Sequence, residues 1–92
     1  MLKQLNETVN YIEKHLLDEQ VIEKAMKNIS VSDLHFKNVF FFLAGMSLNE
    51  YVRNRRLSEA GCELISGKKV TDVAFKYNYQ SIDGFTRAFK NW

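Results

Sequence analysis

Proline is absent from this 92-residue chain, and cysteine occurs once, at Cys62, which excludes an internal disulfide bond. The only histidines are His15 and His35, so we find no closely spaced metal ligands and expect no metal ion or other cofactor. The glycines, at positions 45, 61, 67 and 84, are too scattered for a phosphate-binding loop. Without a nucleophile or acid–base constellation, we expect no enzymatic activity.

The sequence also lacks an uninterrupted apolar run near 18 residues, so we expect no membrane span. Residues 1–10 alternate polar and apolar side chains and contain no signal-peptide core. The default location is therefore the cytoplasm. The length predicts one domain, or a compact pair of subdomains.

The charge is unevenly distributed along the chain. Residues 1–45 carry five Lys and six acidic residues, and residues 46–92 carry eight Lys or Arg and five acidic residues, which gives −1 and +3. The densest basic cluster is Arg53, Arg55 and Arg56. A basic second half suits contact with phosphates, although a solvated helix face explains the charge alone equally well.

Apolar residues recur at helical spacing almost throughout, which predicts an all-α fold. The predicted helices are 3–17, 19–27, 33–43, 48–65, 70–77 and 82–92. Ser32, Ser47 and Ser81 precede helices as N-caps, while Gly45 and Asn78 suit left-handed backbone at helix ends.

The third and last helices carry apolar stripes that are expected to face the core. The stripe of the third helix is Phe36, Val39, Phe40 and Leu43. The stripe of the last helix is Ile82, Phe85, Ala88, Phe89 and Trp92. Cys62 is expected to be a small core residue.

An internal repeat with an offset of 49 residues is the most informative feature. Between residues 21 and 43 it pairs six identical residues with the second half, namely Val21/Val70, Ala25/Ala74, Lys27/Lys76, Ser32/Ser81, Phe36/Phe85 and Phe40/Phe89. Each copy is a short helix, a tight turn and a Ser-capped longer helix, which is the helix-turn-helix pattern. The repeat predicts two such motifs separated by one long helix.

Two stretches of the second half then carry a resemblance to a known family. Asp72-Val73-Ala74-Phe75-Lys76-Tyr77-Asn78-Tyr79-Gln80-Ser81 and Phe85-Thr86-Arg87-Ala88-Phe89-Lys90 strongly resemble the signature of AraC/XylS-type transcription regulators. The resemblance implies a monomeric domain of two homeodomain-like three-helix units, with two recognition helices in successive major grooves. The expected divisions are 1–46 for the first unit, 47–66 for the linker helix and 67–92 for the second unit.

Three departures from the family pattern accompany the resemblance. Asn78 stands where the family usually has Gly, and Asn38 stands where it usually has Arg. The family continues past the position of Trp92 with a turn and a short helix, so we expect a second unit truncated at its C-terminal end. The apolar run before Ala44 and Gly45 resembles one branch, in which a GyrI-like effector-binding domain follows this segment.

A helical wheel with Phe36 and Phe85 inward selects the side chains that would contact DNA. The base-reading candidates are Leu34, Lys37, Asn38, Ile82, Asp83, Gly84, Arg87 and Lys90. The phosphate candidates are Ser32, Ser47, Arg53, Lys68, Lys69, Ser81 and Thr86. For Asp83 we favour orientation of Arg87 at i+4, and for the three serines we favour capping alone.

The predicted function is sequence-specific binding of double-stranded DNA by a bacterial transcription regulator. The resemblance also implies RNA polymerase as a partner. The alternative is a protein-interaction module that keeps the fold and binds through Leu34, Phe41 and Phe42. The sequence leaves open the operator, the effector, and whether transcription is raised or lowered.

Overall fold

The fold is all-α, as predicted, and residues 2–27 and 29–92 are described by a computed structural model. Its helices are α1 (Leu2–Lys14), α2 (Val21–Ala25), α3 (Asp33–Ala44), α4 (Leu48–Ile65), α5 (Val70–Lys76) and α6 (Ile82–Lys90). Across these described ranges, no helix has the length and apolar character needed to cross a membrane.

Three serine hydroxyls cap helices where the sequence predicts them. Ser32 Oγ accepts the amide of His35 at 3.1 Å, and Ser47 Oγ accepts the amide of Glu50 at 3.1 Å. Ser81 Oγ accepts the amide of Gly84 at 3.0 Å. Each bond satisfies an amide that the first helical turn leaves without a backbone partner.

Left-handed backbone occurs at both predicted positions. Gly45 ends α3 with φ 76°, and its amide donates to the Phe41 carbonyl at 2.9 Å. Asn78 lies in the turn between α5 and α6 with φ 71°. Asparagine tolerates this conformation better than most side chains, so the turn forms without glycine.

The chain divides between Val52 and Arg53, within α4, into two compact units. The first unit buries one apolar cluster on α1 to α3 and the start of α4. Its members are Leu5, Ile12, Leu16, Val21, Met26, Phe36, Phe40, Leu48 and Val52. The Tyr51 hydroxyl donates to Glu13 Oε2 at 2.7 Å, which joins α4 to α1 within this unit.

The second unit has its own cluster, formed by the rest of α4 with α5 and α6. Its members are Leu57, Ala60, Val73, Ala74, Tyr77 and Phe85. The rings of Phe85 and Phe89 meet edge to face with centroids 4.9 Å apart. Phe85 is thereby the main anchor of α6, as Phe36 is of α3.

Four predictions about burial are wrong. Leu43 is 57% exposed, because it lines an apolar surface groove, with Leu2, Val9 and Phe40, that the other described residues leave open. Ile82 and Trp92 are about half exposed, since Ile82 is the first residue of α6 and Trp92 lies two residues beyond its end. Cys62 is exposed rather than part of the core.

Candidate nucleic-acid interface

Helix α6 forms because its charges and apolar residues both suit a helix at this position. Asp83 lies in its first turn, and Arg87 and Lys90 lie in its last turn. This order opposes the helix dipole at both ends and so stabilises the helix. Phe85 is buried and Phe89 partly buried, so the opposite side of the helix faces solvent.

The outward face of α6 consists of Asp83, Arg87 and Lys90, and all three side chains are exposed. Throughout the described part of the chain, no ion pair joins Asp83 to Arg87, and the expected orientation of Arg87 by Asp83 stays a prediction. The guanidinium of Arg87 therefore presents its five N–H donors to solvent.

The remaining α6 candidates lie beside this face. Ile82 and Thr86 are exposed, and Gly84 is half-buried. A Cβ at Gly84 would lie 3.3 Å from Ser81 Oγ, a tight contact with the capping hydroxyl. Glycine at this position therefore leaves room for the cap, besides leaving the helix surface open.

Helix α3 presents the corresponding face in the first unit. Leu34, Asn38 and Phe41 are exposed along one side, and Lys37 is exposed beside them. The buried residues Phe36 and Phe40 occupy the opposite side. The wheel prediction of which side chains point outward is thus confirmed for both helices, while their contact with bases stays a prediction.

The predicted phosphate contacts fall into two groups. The hydroxyls of Ser32, Ser47 and Ser81 are engaged in helix caps, and Ser47 is half-buried. The others are exposed and form no ion pair in the described residues: Arg53, Lys68, Lys69 and Thr86. The second group is the better placed to meet a phosphate, because its polar groups are not already bonded.

Of the arginines near Arg53, Arg55 pairs with Glu59 on the same helix. Its Nη2 lies 3.0 Å from Glu59 Oε1, at i,i+4 spacing. The basic cluster seen in the sequence is therefore not wholly available to a ligand, and Arg53 is its best candidate contact.

A polar cluster that the sequence did not reveal joins α4 to α5. Lys76 Nζ donates to Glu63 Oε1 at 2.8 Å, and the Tyr77 hydroxyl donates to Glu63 Oε2 at 2.6 Å. The bonds from Lys76 and Tyr77 lower the pKa of Glu63 below its usual range. Burial, and then the bond to Glu63, raises the pKa of Tyr77. The cluster fixes the end of α5, from which the turn leads into α6.

The lowered pKa of Glu63 predicts a pH dependence of stability. A carboxyl group with a depressed pKa in the folded state stabilises the fold above its unfolded pKa of about 4.3 and loses that contribution as pH falls. Replacing Glu63 by Gln should therefore destabilise the chain at pH 7 and have a smaller effect near pH 3. Urea unfolding at the two pH values measures this difference. The exposed Glu19→Gln variant is the control, and an equal loss from Glu63→Gln at both pH values would contradict the prediction.

Each unit contains a short helix followed by a Ser-capped longer helix, the two helical elements of a helix-turn-helix motif. The sequence matches the family model described as a helix-turn-helix domain over residues 25–92. The chain belongs to this family, the DNA-binding domains of AraC/XylS-type transcription regulators. Transcription regulation by DNA binding is a non-enzymatic activity, in keeping with the expectation from the sequence.

Relatives from bacteria carry matching names. The chain is 38% identical over 90 residues to the uncharacterized HTH-type transcriptional regulator YbfP of Bacillus subtilis. The matched segment covers 96% of this chain and 30% of YbfP. The chain is 32% identical over 87 residues to the HTH-type transcriptional activator AarP of Providencia stuartii, covering 94% of this chain and 64% of AarP. The chain thus spans less than two thirds of either relative. No solved structure matches it at a significant level.

Proposed function

We propose that this chain binds double-stranded DNA sequence-specifically, with α3 and α6 as recognition helices in successive major grooves. The observation that carries the proposal is Arg87, which is exposed at the centre of the outward face of α6 and forms no ion pair with any described residue. Arginine forms paired hydrogen bonds to O6 and N7 of guanine, the commonest specific contact between a side chain and a base. We infer that α6 reads a guanine through Arg87.

The neighbours of Arg87 suit the same groove. Asp83, one turn earlier, can accept from the amino group of cytosine. Lys90, one turn later, extends the positive charge along the face. Arg53, Lys68 and Lys69 supply further exposed charge in the second unit, for contact with phosphates rather than bases.

The first unit is proposed to occupy the adjacent major groove through α3. Half-sites read by paired helix-turn-helix motifs lie about one helical turn, or roughly 34 Å, apart. A site for this chain would therefore contain two blocks whose centres are about ten base pairs apart. DNA as the target also supports the expected location in the cytoplasm.

Selection of bound sequences from random double-stranded DNA, at two salt concentrations, tests the proposal. We expect two enriched blocks separated by about ten base pairs, one of them containing a guanine. Because released counterions make phosphate contacts salt-dependent, affinity should fall steeply at the higher salt. A single block would mean that only one helix reads bases. No enrichment at either salt would overturn the proposal.

A protein-binding role is the second candidate, favoured by the exposed apolar side chains Leu34, Phe41 and Phe42 on α3. In that case the first unit would bind a partner protein through α3, and the helix-turn-helix fold would be unchanged. Substitution of Leu34 and Phe41 would then leave DNA selection unchanged, whereas the main proposal expects the block read by α3 to weaken.

A further inference from the structure

The outward faces of α3 and α6 differ in chemistry although the repeat places them at equivalent positions. On α3 the face is Leu34, Asn38 and Phe41, with Leu34 71% exposed and Phe41 56% exposed. On α6 the corresponding positions hold Asp83, Arg87 and Lys90. Large apolar side chains exposed in a row indicate a contact surface, because their burial is favourable.

The net charges of the two units also differ, and the second unit, which carries the charged α6 face, is the more positive one. Residues 1–52 carry five Lys and seven acidic residues, a net charge of −2, whereas residues 53–92 carry eight Lys or Arg and four acidic residues, a net charge of +4. Attraction to phosphates therefore favours the second unit, and a first unit that binds DNA would depend more on contacts with base edges.

The major groove offers one apolar group for such contacts, the C5 methyl of thymine. Recognition helices place their N-terminal residues against base edges, and Leu34 is the second residue of α3. Asn38 follows about 6 Å along the helix axis, and its amide matches N6 and N7 of adenine. Phe41 follows about 4.5 Å further on the same side.

We propose that α3 reads an A·T-rich block, in which Leu34 and Phe41 contact thymine methyl groups and Asn38 bonds an adenine between them. The two units then divide the operator, with methyl contacts at α3 and the guanine contact at Arg87. This inference rests on the proposed function, since it requires that the chain binds DNA.

Asn38 is the reason to assign this face to DNA rather than to an apolar protein surface. Its amide stands between two apolar side chains, and in a dry protein contact both its donor and its acceptor would need partners. An adenine edge supplies an acceptor and a donor at the matching spacing. Lys37, exposed beside the face and without an ion pair in the described residues, is placed to meet a phosphate.

Deoxyuridine gives a direct test, because it lacks only the C5 methyl of thymine. Thymines in the selected α3 block are replaced one at a time, and affinity is measured by fluorescence anisotropy. We expect about a fourfold loss at each contacted position, which corresponds to about 0.8 kcal/mol for one buried methyl-sized group. The Leu34→Ala chain should bind the thymine and deoxyuridine sites equally at the position that Leu34 contacts.

Phe42→Ala is the matched control, since Phe42 lies on the same helix, is 84% exposed and lies about 80° from Leu34 and about 100° from Phe41 on the helical wheel. This variant should keep the sensitivity to deoxyuridine. Thermal unfolding of each variant separates a loss of contact from a loss of fold.

The outcomes separate this inference from the proposed function. Specific binding that ignores deoxyuridine in the α3 block would overturn the inference and leave the proposed function standing. A Leu34→Ala, Phe41→Ala chain with unchanged affinity and preference would assign the face to a protein partner and also overturn it. Absence of any specific DNA binding would overturn both.

Discussion

Replacement of Phe36 by alanine is expected to lower the free energy of unfolding by about 3–5 kcal/mol. Phe36 has no exposed surface and lies in the apolar cluster of the first unit, so truncation removes its buried area and leaves a cavity. Small domains have a total stability of only about 5–15 kcal/mol, so this loss is a large fraction of the total. Urea unfolding followed by circular dichroism measures the change.

Phe42→Ala is the control for this substitution, because it makes the same chemical change on the same helix. Phe42 is 84% exposed, so its truncation should change the free energy of unfolding by no more than about 0.5 kcal/mol. Comparable losses from Phe36→Ala and Phe42→Ala would show that α3 is packed differently from the arrangement described above.

The second large effect is expected from Arg87→Ala in DNA recognition. Loss of a paired arginine–guanine contact costs about 1–3 kcal/mol of discrimination, which is roughly 5- to 150-fold. Because Arg87 forms no ion pair in the described residues, its removal leaves no acidic partner uncompensated. Affinities for the selected site and for a site with the guanine replaced should therefore converge.

Two variants distinguish base reading by Arg87 from non-specific attraction of its positive charge to phosphates. Arg87→Lys keeps the charge but loses the forked donors, so it should also lose discrimination. Arg53→Ala should instead weaken binding to all sequences similarly and reduce the salt dependence by about one phosphate contact. If Arg87→Ala behaved like Arg53→Ala, Arg87 would be a phosphate contact and not the base reader.

The features predicted best from the sequence are those with local causes. A serine cap depends on its own side chain and an amide three residues later, so Ser32, Ser47 and Ser81 could be identified without tertiary information. Gly45 and Asn78 were found for the same reason, because left-handed backbone is a property of the single residue.

Burial at helix ends was predicted less well, because it depends on where neighbouring helices stop. Leu43 shares the inward side of α3 with Phe36 and Phe40, yet it lines a groove that is left open. Cys62 was placed in the core by residue type alone, although it lies about 200° from the buried Ala60 on the α4 wheel. Position on the helix would have predicted its exposure.

The bonds of Glu63 could not be predicted, because they join residues 13 and 14 positions apart and follow no helical or strand period. The candidate interface could be predicted only in part. Which side chains point outward on α3 and α6 follows from the helical period. The absence of an ion pair between Asp83 and Arg87 in the described part of the chain depends on side-chain rotamers, which no sequence pattern specifies.

The exposure of Cys62 has a consequence for the chemistry of the purified protein. A sole surface thiol on α4 can form a disulfide only with a thiol of another molecule, so air oxidation would yield a covalent dimer of one defined connectivity. The same thiol offers a single attachment point for a maleimide dye or spin label. Alkylation at Cys62 would prevent the dimer and mark the second unit at one known position.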